Sequence, residues 1–367
     1  MWKLSCIILF LLSGFPDGPM AGPDPPGQAV TGRITNSETG EPLENVNVYL
    51  SYTTTGTSTD SSGYYALTTS QLGVFDLIMS RVGFARHSQR ITLQPGDFLL
   101  IDVSLAPAVL ESEPVVITST PDLEWSKNLQ LFTRAFIGHS AFSEQCRIVN
   151  PGVLEFELNN DTLLARSDSV IRVENRALGY MVNIIIAEFV WNTAKDYGHF
   201  LIYPYFTRLR PGDPDESALW TANREIAFKG SIRHFLRSLI RQSASDELFS
   251  ISSGPLLKIR KTEGHMVTDA DFQIDPAEGF PLFMVSFPGY LRIEYGERDI
   301  DLSDPGGRYA RRVAVSRLAP RPRQVSIIRL TGPSALVDSS GNLFDPLAIE
   351  VSGYWGDHRI ENLLPNN

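Results

Sequence analysis

Between Val30 and Leu105 the apolar residues recur at every second position in short runs, each closed by a turn, and few folds accept that pattern. Val30, Gly32 and Ile34 open a strand, Thr39-Gly40-Glu41-Pro42 turns the chain, and Val46, Val48 and Leu50 alternate with polar residues. Successive side chains on a strand point to opposite faces, so this alternation sets one face on a core and the other in water. Asp60-Ser61-Ser62-Gly63 is a second turn, in which the aspartate bonds the backbone ahead of it and the glycine takes positive φ. Tyr64-Tyr65-Ala66-Leu67 starts the next strand; Phe75, Leu77 and Met79 form another, and Val82-Gly83-Phe84 turns the chain again. Ile91, Leu93, Ile101, Val103 and Leu105 complete the set. Short strands at this spacing predict a β-sandwich.

Four ordered segments carry a resemblance within this stretch. They are Val30-Thr31-Gly32-Arg33-Ile34, Thr39-Gly40-Glu41-Pro42-Leu43-Glu44-Asn45-Val46, Gly56-Thr57-Ser58-Thr59-Asp60 with Gly63-Tyr64-Tyr65, and Ser80-Arg81-Val82-Gly83-Phe84. Together they resemble the carboxypeptidase regulatory-like, transthyretin-type domain over residues 28–107. That family stands beside metallocarboxypeptidase catalytic domains and at the N-terminus of many TonB-dependent outer-membrane receptors. The resemblance implies an antiparallel sandwich with no catalytic residues of its own. Val115-Val116-Ile117 resembles the short strand that precedes the plug in those receptors, but no plug follows, and too few residues remain for a membrane barrel.

The rest of the chain mixes both periods and predicts an α+β, largely antiparallel second domain, so the whole is mainly β. Leu129, Phe132, Phe136 and Ile137 suggest a short helix. Val153–Leu158, Leu163–Arg166, Val170–Val173, Leu178–Trp191 and Phe200–Phe206 read as strands. Ser217–Ser243 reads as one helix, with Ile232, Phe235, Leu236, Leu239 and Ile240 on a common face. Further strands are expected near Leu256–Ile259, Phe283–Phe287, Leu291–Tyr295, Val325–Leu330 and Leu347–Val351. Cys146-Arg147-Ile148-Val149-Asn150-Pro151, Glu174–Tyr180, Gly230–Leu239 and Gly353-Tyr354-Trp355-Gly356 are similar to a domain that follows the regulatory-like module in a group of bacterial envelope proteins. That similarity supports the domain order and implies no activity.

The expected division is a signal peptide at 1–22, the linker start and sandwich at 23–107, a linker at 108–124 and the α+β domain at 125–367. Lys3 precedes the apolar run Leu4–Leu12, which is too short to cross a bilayer and suits an export signal. The mature chain is then expected in the periplasm or outside the cell, without a transmembrane segment. Removing the signal takes Cys6 with it and leaves Cys146 alone, a small buried hydrophobe rather than a nucleophile. The net charge of −10 argues against nucleic acid, whose phosphates need concentrated Lys and Arg.

No constellation of residues spells a reaction, a metal site or a cofactor site. His358-Arg359-Ile360-Glu361 fits the His-x-x-Glu of a zinc carboxypeptidase, yet only six residues follow Glu361 and no second histidine lies downstream. Gly138-His139-Ser140-Ala141-Phe142 places Phe142 where a serine-hydrolase turn needs glycine. Asp299–Gly306 alternates oxygen ligands as calcium loops do, but has Asp304 where such a loop turns on glycine.

The most suggestive feature is cationic. Arg233, Arg237 and Arg241 recur every fourth residue and form one helical stripe, with Arg224 and Lys229 nearby and Arg308, Arg311, Arg312, Arg317, Arg321 and Arg323 further on. In an acidic chain such a face suits an envelope protein or an anionic surface component, and a solvated stripe would accept Glu at all three positions without loss of thermal stability. Phe189, Trp191, Tyr197, Phe200, Tyr203, Tyr205 and Phe206 could stack on sugars, or could simply fill a core. The expected function is a non-catalytic, exported interaction or scaffold module. A glycan-binding accessory protein is the alternative, and a hydrolase built from His139, His199, His234 or His265 is the third reading.

Overall fold

Gly32 sits where only glycine fits: a Cβ there would lie 1.9 Å from the Ile101 carbonyl oxygen. The structure, a computed structural model, describes residues 28–108, 123–167, 169–278, 282–296 and 324–366. The expected export signal, most of the linker, the Asp299–Gly306 loop and the arginines from 308 to 323 lie outside these residues. Eight strands form the sandwich: β1 (Gln28–Asn36), β2 (Asn47–Leu50), β3 (Gly56–Ser58), β4 (Tyr64–Thr69), β5 (Gly73–Ser80), β6 (His87–Leu93), β7 (Phe98–Leu100) and β8 (Val103–Leu105). One sheet runs β3-β2-β5-β6, and the other sets β4 and β7 on either side of β1.

β7 and β8 both run parallel to β1, an exception to the otherwise antiparallel pairing. The chain steps from one to the other at Ile101–Asp102, where the Ile101 carbonyl accepts from the Tyr65 hydroxyl at 2.9 Å and the Asp102 carboxylate accepts from the Arg33 amide at 2.7 Å. Gly32 makes room for that step. Val30, Ile34, Val46, Val48, Leu50, Leu67, Leu77 and Met79 close the core between the sheets.

A second core follows. Helix α1 (Leu123–Ile137) covers a sheet of β9 (Cys146–Ile148), β10 (Leu154–Asn159), β11 (Thr162–Ser167), β12 (Ile171–Asn175), β13 (Tyr180–Asn192) and β14 (Tyr197–Arg208). β13 and β14 form a long hairpin paired from Tyr180↔Arg208 to Asn192↔Tyr197, with an irregularity between Ile186 and Glu188. The free edge of β13 is shared, β12 taking its first half and β11 its end. Phe132 and Phe136 of α1 pack on Phe189 and Phe200 of the hairpin.

The expected helix over 217–243 is two helices, α2 (Pro214–Phe228) and α3 (Ile232–Ile240). Gly230 breaks it: its φ is +77°, and a Cβ would collide with Gln324 and Tyr295 side chains. Ser231 then caps α3 by accepting from the His234 amide at 3.1 Å. α2 is capped by Asp213 and buries only Trp220 and Asn223 deeply.

A third core lies beneath α3. It holds β15 (Phe249–Gly254), α4 (Leu256–Arg260), β16 (His265–Val267), β17 (Gln273–Pro276), β18 (Leu282–Ser286), β19 (Tyr290–Tyr295), β20 (Gln324–Leu330), β21 (Ala335–Asp338) and β22 (Ile349–Gly353). The strand expected at Leu256–Ile259 is the helix α4 instead. Its apolar residues lack a period of two: Leu257 is exposed while Ile259 is fully buried. After β22, α5 (Tyr354–Asp357) turns the chain back, and Ile360, Leu363 and Leu364 join the second core. Among the described residues no helix is long and apolar enough to cross a membrane.

Candidate functional site

The three cores meet at one junction, the sandwich and the second core through backbone bonds and the third through a side chain. The Tyr52 amide donates to the Pro204 carbonyl at 2.8 Å and the Phe206 amide donates to the Thr53 carbonyl at 3.0 Å, so residues 52–53 lie along the edge of β14. The Tyr49 hydroxyl donates to the Tyr203 carbonyl at 3.2 Å, and its ring packs on that of Tyr205. Tyr52 also accepts from the Asn366 amide at 2.7 Å, which ties the tail to the sandwich. From the third core, Phe344 lies under the Arg90 guanidinium at 3.9 Å.

At this junction, with Tyr52 and Asn366 in its wall, lies a cavity of about 350 Å³. Its wall takes Tyr52 from the sandwich, Phe228 from α2, Arg233 and Leu236 from α3, Leu343 from the loop after β21, Val351 from β22, Trp355 from α5 and Leu364 from the tail. The lining is largely apolar. Its charged groups are Lys229, Arg233 and Arg359, and no carboxylate stands among the described lining residues. In a chain of net charge −10 the cavity is locally cationic.

Each of those cations is held differently. Lys229 pairs with Glu225 one turn back at 2.5 Å. Arg359 lies over the Trp191 ring at 4.5 Å and donates to the Arg134 and Ala135 carbonyls, which closes the end of α1. Arg233 donates through Nη1 to the Pro365 carbonyl at 2.8 Å. Its Nε is buried with no partner. Burial pushes its pKa down, partly offset by the nearby Asp338 charge.

The loop pressed against α3 explains why Asp338 does not pair with Arg233. One Asp338 oxygen accepts from the Ser340 and Asn342 amides at 2.8 and 2.9 Å, and the other accepts from the Asn342 side chain at 2.8 Å. Gly341 has φ of +87° and brings the loop so near that a Cβ would lie 2.1 Å from the Arg233 carbonyl oxygen.

The three arginines of the expected stripe differ in their surroundings, although Arg233 and Arg237 share the Phe228 ring. Arg233 lines the cavity. Arg237 packs over the Phe228 ring at 4.4 Å and stands 3.6 Å from Glu247. Arg241 ends the helix and is exposed. The aromatic stretch divides similarly: Phe189, Trp191 and Phe206 are core, Tyr203 lies beneath Arg86, and Tyr197 is exposed.

The histidines take up separate positions. His234 is buried, with Nδ1 accepting from the Gly230 amide at 3.0 Å and Nε2 on Glu247 at 2.5 Å. Ser243 donates to the same carboxylate at 2.9 Å. The carboxylate, not the imidazole, bridges serine and base, so neither ring nitrogen faces a nucleophile. His199 pairs with Glu188 at 3.4 Å, and His139 and His265 are exposed. His358 Nδ1 bonds the Tyr354 carbonyl, while Glu361 is spent on the amides of Ser140 and Arg359. Among the described residues no cluster of His, Cys, Asp or Glu could hold a metal. Cys146 is half-buried, its thiol donates to the Phe142 carbonyl, and burial pushes its pKa up to about 12.

Tyr52, the Gly341–Leu343 loop and the tail were not singled out from sequence, although Asp338-Ser339-Ser340-Gly341 repeats the turn at Asp60–Gly63 residue for residue. No curated protein matches the chain. Among solved structures, the TIE protein of Bacillus anthracis superposes at 14% identity and a TM-score of 0.20, covering 22% of this chain and 17% of that one. The pilus 2b backbone protein of group B streptococcus gives 14% identity and a TM-score of 0.19, over 22% and 42% of the two chains. A candidate carbohydrate binding protein from Bacteroides uniformis gives 11% identity and a TM-score of 0.19, over 50% and 80%. The chain spans less than half the length of the first two, and these superpositions are too partial to carry an argument. Residues 30–117 match the carboxypeptidase regulatory-like domain family, a span that runs past β8 into the expected linker. The N-terminal sandwich is thus a carboxypeptidase regulatory-like domain, and the match to that family ends before α1.

Proposed function

We propose that this is a non-catalytic, exported binding protein of the cell envelope, and that the junction of its three cores is where it takes its ligand. The observation that carries the reading is the cationic cavity itself: about 350 Å³, walled by all three cores, with no carboxylate in its described lining. A pocket of that size with an apolar wall and few polar groups is the usual form of a small-molecule site. The sandwich serves as a fixed wall of it, held through Tyr52 on β14 and on the tail.

Glycan binding is less well supported, since most of the aromatic stretch fills the second core. Hydrolysis is less well supported too, because the buried histidine has both ring nitrogens engaged.

The test is native mass spectrometry of the full chain after incubation with an envelope extract, beside Leu343→Trp, which fills the cavity. A small-molecule adduct on the natural chain that is lost in the filled variant is expected. Equal adducts on both chains, or none on either, would remove the binding reading.

A further inference from the structure

The lining suggests more than the presence of a ligand. Arg233 is a partly buried guanidinium beside an apolar wall, and among the described residues it has no carboxylate within ion-pair distance. Its guanidinium donates to a neutral carbonyl, Pro365, and lies 5.9 Å from the Phe228 ring, and its Nε has no partner. The nearby acid, Asp338, takes three bonds within its own loop, and its charge offsets the burial of Arg233 only in part. Taking a charge out of water without a counter-charge is costly, and leaving it so is more costly than pairing it. The same lining holds Ile232, Leu236, Ile349, Val351 and Trp355, whose side chains carry no polar group apart from the indole NH. That indole already donates to the Gly230 carbonyl at 2.6 Å.

We infer that the cavity binds a small anionic amphiphile, its oxyanion head on Arg233 and its hydrocarbon body along Ile232, Leu236, Val351 and Trp355. The inference rests on the binding reading above and names the class of ligand. Size limits it. A cavity of ~150 Å³ holds benzene, so about 350 Å³ corresponds to roughly a dozen non-hydrogen atoms by proportion. A medium-chain carboxylate or the monophosphate of a medium-chain alcohol meets both demands. A whole two-chain phospholipid exceeds the volume.

Arg237 is not part of the cavity lining and stands beside Glu247, and Lys229 is paired with Glu225. Arg359 is turned toward the end of α1. The head is therefore assigned to one residue, and the assignment can be tested there.

The experiment is isothermal titration of the full chain with decanoate, decyl phosphate and decan-1-ol at one ionic strength. The two anions are expected to bind at least tenfold more tightly than the alcohol, and whichever anion binds tighter identifies the head. Arg233→Gln is expected to bring the anions down to the alcohol's affinity, while Arg241→Gln, on the exposed end of the same helix, leaves the preference intact. Leu343→Trp keeps Arg233 in place and is expected to abolish binding of all three, which guards against a misfolded Arg233→Gln. Equal binding of anion and alcohol by the natural chain would overturn the head assignment while leaving the cavity as a binding site. An envelope adduct without binding of any of the three probes would overturn the ligand class alone.

Discussion

The Glu361 carboxylate lies directly over the backbone of Gly138: a Cβ at 138 would stand 2.2 Å from Glu361 Oε2. Glu361 is fully buried, and its oxygens accept from the Ser140 amide at 3.2 Å and the Arg359 amide at 2.8 Å. Its own carbonyl accepts from the buried Asn175 side chain at 3.0 Å. The returning tail is thus fastened to the end of α1 and to the end of β12 through one residue.

Glu361→Ala should strand both amides and destabilise the chain by about 2 kcal/mol or more, the cost of orphaned buried donors. Gly138→Ala should be comparably harmful, because the carboxylate must move and the residue has φ of +109°. Urea unfolding followed by tryptophan fluorescence checks both. An unchanged midpoint for Glu361→Ala would mean that water replaces the carboxylate.

In the sandwich, Gly32→Ala should be the most damaging single-methyl addition, since the colliding atom is backbone and cannot rotate away. The expected result is loss of the β1–β7 and β1–β8 pairing, seen as lost amide protection over residues 28–36 and 98–105 in hydrogen exchange. Retained protection would show that the step at Ile101–Asp102 can shift to accommodate a side chain.

The sandwich was legible because its core depends on period-two alternation and on turns written in Asp, Ser and Gly. The break at Gly230 had a local signal, glycine followed by the Ser231 cap, but the Tyr295 and Gln324 side chains that fill the space beside it come from far along the chain. The surroundings of the arginine stripe were hidden in a related way. Helical spacing puts Arg233, Arg237 and Arg241 on one face, but the Gly341 loop and the tail come from far along the chain to cover its first part. The paired turn motifs Asp60–Gly63 and Asp338–Gly341 are the one local clue, and they say that a tight loop exists without saying what it presses on.

That covering changes what acidic substitution should do. Arg237→Glu sets a second carboxylate beside Glu247 and removes the contact with Phe228, so its melting temperature should fall by several degrees. Arg233→Glu should fall as well, since it loses the bond to Pro365 and sets a carboxylate near Asp338. Arg241→Glu should melt within about a degree of the natural chain, as expected of an exposed surface substitution. Differential scanning fluorimetry separates the three, and equal tolerance at all positions would restore the solvated stripe.

Cys146 should be slow toward thiol reagents in the folded chain, because burial holds its pKa at about 12 and little thiolate exists near neutrality. Labelling by a disulfide reagent at pH 8 should become fast only in denaturant. Rapid labelling of the native chain would place the thiol in contact with solvent.

The His234–Glu247 pair gives the stability a direction with pH. Burial lowers the His234 pKa, and the Glu247 bond only partly restores it. A base depressed in the folded state binds its proton more readily when unfolded, so stability is full above the unfolded value of about 6.5 and declines as pH falls through the folded one. Burial raises the Glu247 pKa, but the bonds from His234 and Ser243 and the Arg237 charge outweigh it, leaving the carboxyl below its usual value. Its contribution is present above the unfolded glutamate value and is lost as pH falls further. The two losses have the same sign and follow one another: the imidazole acts first on the way down, the carboxyl later. His234→Gln should therefore flatten the fall in melting temperature between pH 7 and 5 and, by removing the ring bond to Glu247, also reduce the later fall. If the variant and the natural chain trace parallel curves across the upper window, the buried imidazole is not the group that senses acid, and the assignment moves to groups outside α3.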